Sequence, residues 1–318
     1  MDWENCILVG SQLSPSQVDE LEIALIRDPI CLSARAKLLS YYWSHERENG
    51  MREKHHEHAL WIIQNHPEHD LAACVPIEIA PEANSDWFER AKESWLGHLD
   101  NDSRNLKVLA NAASFFGESD FELALSLYER GKRLEPGNVF WNERLALILH
   151  LRSHGMPNEF ANRALEEQNQ AYELSAGQAK FVALVPLPEY AVNAGQLALA
   201  ASYSHSLLDC SVKHRDNPLF GSAVHEANIT VALHAIVAGD MSKAVTYLER
   251  SYADTCPPVN FLNANTRMLL QRLLSAGETG AVLKYLRYCQ KRHTDRRIVT
   301  WIHSIESGIT PQIARHLV

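Results

Sequence analysis

Apolar positions along this chain recur at helical spacing, in runs punctuated by proline and glycine. Ser14-Pro15-Ser16-Gln17 joins a serine N-cap, a proline in the first helical position and a glutamine three residues after the cap. It stands just ahead of Val18, Leu21, Ile23, Ala24, Leu25 and Ile26, and predicts a helix that ends near Asp28-Pro29. A second helix is predicted over 32–48, with Ala36, Leu38, Leu39 and Trp43 as its apolar stripe. Gly50 turns it into a partner over 52–65, which His66-Pro67 closes. Residues 71–84 hold two prolines and no period, which predicts a loop or short packed connection. Helix resumes at Ser85, with Trp87, Ala91 and Trp95. After a pair within 104–137, further helix pairs are predicted from Trp141 to Leu149 with Glu159 to Leu174, from Ala179 to Val192 with Gln196 to Leu208, from Ala223 to Val237 with Ser242 to Tyr252, and from Asn263 to Ser275 with Thr279 to Arg292. Pro186 and Pro188 must kink or split one of these, and the segment from Trp301 to Ile313 predicts a terminal cap.

The same residue types also recur at longer range. Ala59, Ala91 and Ala124 stand 32 and 33 residues apart, and the turns Ala194-Gly195-Gln196, Ala238-Gly239-Asp240 and Ala276-Gly277-Glu278 repeat one punctuation. Within Arg104 to Gly137, Ala112, Phe115, Ala124, Tyr128 and Pro136 fall where the tetratricopeptide repeat, with its period of about 34 residues, places small, aromatic, small, aromatic and proline. The small residues let two helices approach, the aromatics fill the remaining space, and the proline stops the second helix. The segments at 34–43, 58–68, 108–116, 222–228 and 257–270 resemble a group of bacterial tetratricopeptide-like proteins. The chain departs from that group at Ser222, near which an asparagine is expected, at Glu226, where a histidine is expected, and before Asn265, where Asn263-Ala264 replaces glycine-proline. The resemblance implies an all-α, right-handed α-solenoid of about seven helix pairs with a C-terminal capping helix. It is expected to form one domain over 1–318, with a possible break into two lobes near 150–190. It also implies protein or peptide binding on the concave face, and carries no established reaction.

Composition narrows the partner. The chain has 318 residues, 46% hydrophobic and 22% charged, with a net charge of -9, so it can bury a sizeable core and its surface as a whole repels phosphate backbones. A protein or peptide partner is expected, with no nucleic acid, no membrane and no cofactor. The six cysteines are scattered without a CxxC, which suits a reducing compartment. The acidic first thirty residues lack the pattern of a signal peptide and no long apolar run occurs, so a cytoplasmic location is expected. Oligomeric state is left open.

Candidate chemistry is sparse. There is no GxxxxGK[ST], GxGxxG, GxSxG or CxxC, and two HExxH-like starts, at His45 and His225, fail because Asn49 and Ile229 stand where the second histidine belongs. A peptide-binding row is expected from Asn111, His225, Asn228, Asn260, Asn263 and Asn265, because an amide can donate to and accept from a peptide backbone at once. The same asparagines also suit helix caps and inter-repeat bonds. A repeat-built enzyme acting on a peptide is the alternative, with His225 as general acid or base and Asn228, Asn260 and Asn265 orienting the substrate. Lys284, Arg287 and Lys291 lie on one helical face within a basic run that continues through Arg292, Arg296 and Arg297, and suit either solvent or an acidic partner. Among the clustered histidines, His55 and His58 have the i, i+3 spacing that can share a metal ion, although solvated or edge histidines fit the cluster as well.

Overall fold

The computed structural model describes residues 2–81, 86–153, 158–253, 262–292 and 294–314. Among these residues every regular element is helical. The chain divides into two compact units, Met1–Pro136 and Gly137–Val318, so the division comes at the repeat-ending proline and residues 150–190 lie inside the second unit.

The first unit holds α1 (Trp3–Gly10), α2 (Pro15–Arg27), α3 (Leu32–Ser44), α4 (Met51–Asn65), α5 (Trp87–Asn101), α6 (Leu106–Phe116) and α7 (Phe121–Leu134). The capping box opens α2 as its residues dictate: the Ser14 amide donates to Gln17 Oε1 at 2.8 Å, and the Gln17 amide donates to Ser14 Oγ at 3.4 Å. Helix α3 packs on α4 and α6 on α7, while α5 packs on α4 and α6. Two short 3₁₀ turns, Asp70–Ala73 and Val75–Ile77, occupy the stretch predicted as a connection. The repeat-spaced alanines Ala59, Ala91 and Ala124 are fully buried, as are Ala112 and the great bulk of Phe115 and Tyr128. Helix α1 was not legible in the pattern. It docks on α3 through Gly10, where an added Cβ would meet the Lys37 carbonyl oxygen at 2.4 Å, and the Ser40 hydroxyl donates to the Ile7 carbonyl at 2.7 Å.

The second unit holds α8 (Val139–Ser153), α9 (Glu159–Leu174), α10 (Gly177–Leu184), α11 (Leu187–Asn193), α12 (Leu197–Ser211), α13 (Phe220–Val237), α14 (Met241–Ala253), α15 (Ala264–Ser275), α16 (Thr279–Gln290) and α17 (Arg296–Glu306). Pro186 divides α10 from α11, as a residue without an amide proton should. Helices pair as α8 with α9, α11 with α12, α13 with α14 and α15 with α16. Successive pairs then stack α13 on α15 and α14 on α16, and α17 closes the end against α16. One continuous apolar cluster, from Ile229 and Leu233 through Leu269, Leu273, Val282 and Leu286 to Ile298 and Ile302, holds α13–α17 together. The three alanine-glycine turns share one geometry. Gly195, Gly239 and Gly277 take φ of 73°, 78° and 88°, which a side chain disfavours. The residue after each donates back to the last helical turn: Gln196 to Ala191, Asp240 to Ala235 and Glu278 to Leu273, at 2.8–2.9 Å. These are Schellman caps, and they satisfy carbonyls that a helix end otherwise leaves open.

Candidate interaction site

The predicted asparagine and histidine row is spent largely on the fold. Asn111 is buried in α6, and its amide donates to the carbonyls of Pro67 (2.8 Å) and His69 (3.0 Å), fixing the turn that leaves α4 instead of facing a groove. Asn228 donates to Val224 one turn back at 2.7 Å. Asn263 caps α15, accepting from the Thr266 amide at 2.8 Å, and its own amide donates to the Glu226 carboxylate. Asn265 is buried, and its amide nitrogen has no hydrogen-bond partner among the described residues. Asn260 lies outside the described residues.

His225 is fully buried between helices. Its Nε2 sits 2.8 Å from the Tyr285 hydroxyl and its Nδ1 3.4 Å from Glu226 Oε1. Burial holds Tyr285 well above the ordinary tyrosine range, so its hydroxyl stays protonated. Both ring nitrogens therefore face partners within the chain, and the convergence of His225 with Asn228 and Asn265 on a closed pocket floor is not found. Asn228 instead edges a pocket of about 300 Å³ walled by Leu208, Arg215, Phe220 and Arg250.

The basic run behaves differently. Lys284, Arg287 and Lys291, placed on one side by their i, i+3, i+7 spacing, line a single open pocket of about 580 Å³ together with Arg292, Tyr252 and Tyr288. Tyr252 comes from α14 and Tyr288 from α16, with ring centroids 5.0 Å apart; Tyr285 backs Tyr252 at 5.5 Å. The Arg292 guanidinium stacks 3.9 Å from the Tyr288 ring centroid. Lys284 reaches Glu249 at 3.2 Å and Arg287 reaches Glu306 at 2.7 Å, yet the Lys284 and Arg287 side chains remain 67% and 55% exposed. Partial burial raises the Tyr252 hydroxyl, with Glu249 adding to the shift, so the pocket floor is neutral and its rim cationic. Arg297 turns away to grip Asp295, the N-cap of α17. The two tyrosines were missed because Tyr252 belongs to a preceding helix, and a charge count along α16 does not register its neighbour across the pair.

The histidine pair expected to share an ion is split. His58 faces Glu22 (3.8 Å), Arg35 (3.5 Å) and the Tyr42 ring. His55 faces the opposite way, with Nε2 2.6 Å from the Pro76 carbonyl and Nδ1 2.7 Å from Glu46 Oε1. One turn of helix brings i and i+3 to similar azimuths, but α4 is buried on both flanks, and each flank takes one histidine.

Comparison with protein-family models finds no match, and none is found among curated proteins. Solved structures to which this chain is similar include the following two. PilW, described as a widely conserved type IV pilus biogenesis factor, is 15% identical, with 70% of this chain and 91% of that chain covered, at a TM-score of 0.46. A tetratricopeptide repeat protein from Parabacteroides merdae is 13% identical, with 91% and 97% covered, at a TM-score of 0.44.

Proposed function

We propose that this chain is a protein-interaction module that holds an acidic segment of a partner in the pocket of Tyr252, Tyr288, Lys284, Arg287, Lys291 and Arg292. The observation that carries the reading is a concave cationic rim over an aromatic floor in a protein whose net charge is -9. Carboxylates entering the pocket meet side chains that are already gathered, and exchange their water for charge-assisted bonds. The tyrosines supply flat apolar area for the stems of Glu and Asp and for flanking residues, at little cost in side-chain entropy. Glu249 and Glu306 act as internal place-holders, which acidic groups of the partner displace. We place the module in a reducing, cytoplasmic setting on its cysteine usage: Cys74 and Cys289 are buried, and burial pushes both thiols up to about 12.

The test is fluorescence anisotropy with labelled Asp/Glu-rich, neutral and Lys/Arg-rich peptides, against wild type and a Lys284→Glu, Arg287→Glu, Lys291→Glu variant whose helicity is confirmed by circular dichroism. Saturable binding of the acidic peptides alone, lost in the triple variant and weakened in a Lys291→Glu single variant, supports the reading. Absence of binding, or equal binding by the folded variant, overturns it.

A further inference from the structure

The stretch that positions Glu46, His55 and His56 is independent of the basic pocket and lies in the first unit. We infer that these three side chains form a binding site for a divalent metal ion of the zinc class. One ligand atom from each of the three lies within 4.8 Å of the other two. His55 is fully buried and His56 is 4% exposed, whereas Glu46 stands at the edge in the turn after α3. The His55 Nε2 contact with the Pro76 carbonyl fixes that nitrogen as the N–H donor, which leaves Nδ1 with its lone pair. That Nδ1 sits 2.7 Å from Glu46 Oε1 without hydrogen-bond alignment, and His56 Nδ1 is buried with no hydrogen-bond partner among the described residues. Two electron pairs held this close in a buried setting call for a cation between them. An ion at the usual ~2.0–2.2 Å from each ligand fits the gap once the exposed end of Glu46 turns outward to widen the bond angle.

The ligand chemistry agrees. Burial lowers the basicity of both rings, that of His56 to about 4, so both are neutral imidazoles and available for coordination at neutral pH. Two imidazoles and one carboxylate suit zinc ahead of the hard cations magnesium and calcium, and leave a fourth position for water. Nearby charge is mixed: Arg52 disfavours a cation at both rings, and Glu53 favours one at His56. A bound ion would tie the start of α4 to the preceding turn, and through Pro76 to the second 3₁₀ turn.

Full-length protein stripped with a chelator is titrated with Zn²⁺ by calorimetry and with Co²⁺ by visible absorption. One equivalent taken up at micromolar or tighter affinity is expected, with a ligand-field band from Co²⁺. His56→Gln and Glu46→Gln should each weaken uptake about tenfold or more, and His58→Gln should leave it unchanged. Failure of the wild type to bind one equivalent overturns the site. So does uptake that survives in folded His56→Gln and Glu46→Gln, or uptake that disappears in a His66→Gln, His69→Gln double variant.

Discussion

Asn111 shows how a polar residue at a repeat-facing position is used when the neighbouring turn needs it. Its amide is shared by two carbonyls of the turn after α4, those of Pro67 and His69, the second of which also accepts from the Ala72 amide. Asn111→Ala should lower unfolding stability by about 1–3 kcal/mol, read from urea denaturation, because two hydrogen bonds that tie the turn after α4 to α6 are lost together. Glu22 carries a second residue-scale prediction. The His58 ring, the Tyr42 hydroxyl and the Lys54 amine surround its carboxyl and hold it down to about 2, with His58 the leading cause. A folded value below the unfolded one, near 4.3, means stability that is present above that value and lost as pH falls toward 2. Glu22→Gln should therefore destabilise the protein at pH 7, and the gap to wild type should narrow as pH drops below about 4. A gap that stays constant with pH would show that the carboxylate charge contributes nothing. Both residues were visible in the sequence as polar positions on helices, but their partners come from 42 to 44 and from 20 to 36 positions away, so no local pattern could reveal them.

At the scale of elements, helix ends and close approaches decide more than helix interiors. The Schellman caps at Gly195, Gly239 and Gly277 need a left-handed residue, and an L side chain there costs about 1–2 kcal/mol. Gly239→Ala has open space around its new methyl group, so backbone strain alone should lower the thermal midpoint, measured by circular dichroism. Gly10→Ala acts by the other mechanism. Its Cβ meets the backbone of Lys37 rather than a side chain that can swing away, and overpacking of this kind costs about 1–3 kcal/mol. Amide hydrogen exchange should show α1 losing protection while α13 keeps it. The helix boundaries at 159–174 and 279 onward were readable because cap, turn and period agree there. Helix α1 was not, since eight residues give too few turns to display a period, and its stability comes largely from docking on α3 beside the Asp2 N-cap.

For the molecule as a whole, charge separates the two readings of the basic run. With a net charge of -9, the long-range field opposes an acidic partner, and attraction is confined to the pocket. At ionic strengths where the Debye length is about 10 Å or less, the distant repulsion is screened together with much of the exposed attraction. Acidic-peptide affinity of wild type should thus fall as salt rises from about 50 to 500 mM, following loss of the exposed pairs. A residual component that resists salt should disappear in Tyr288→Ala, because the aromatic floor acts through contact area. Affinity that ignores salt would place binding elsewhere.

The sequence alone determined the helical class, the pairing of helices and most of their ends, because periodicity, caps and glycine turns are local properties read within a few residues. It also determined the basic face of α16, since i, i+3 and i+7 fall together on any helix. Only the tertiary structure decided what the polar residues do. It turned His225 onto Tyr285, gave Asn111 to the turn after α4, separated His55 from His58 and joined His55 to Glu46 and His56. Each of those outcomes depends on which flank of a helix its neighbour covers, and that is settled by packing between elements distant in the chain.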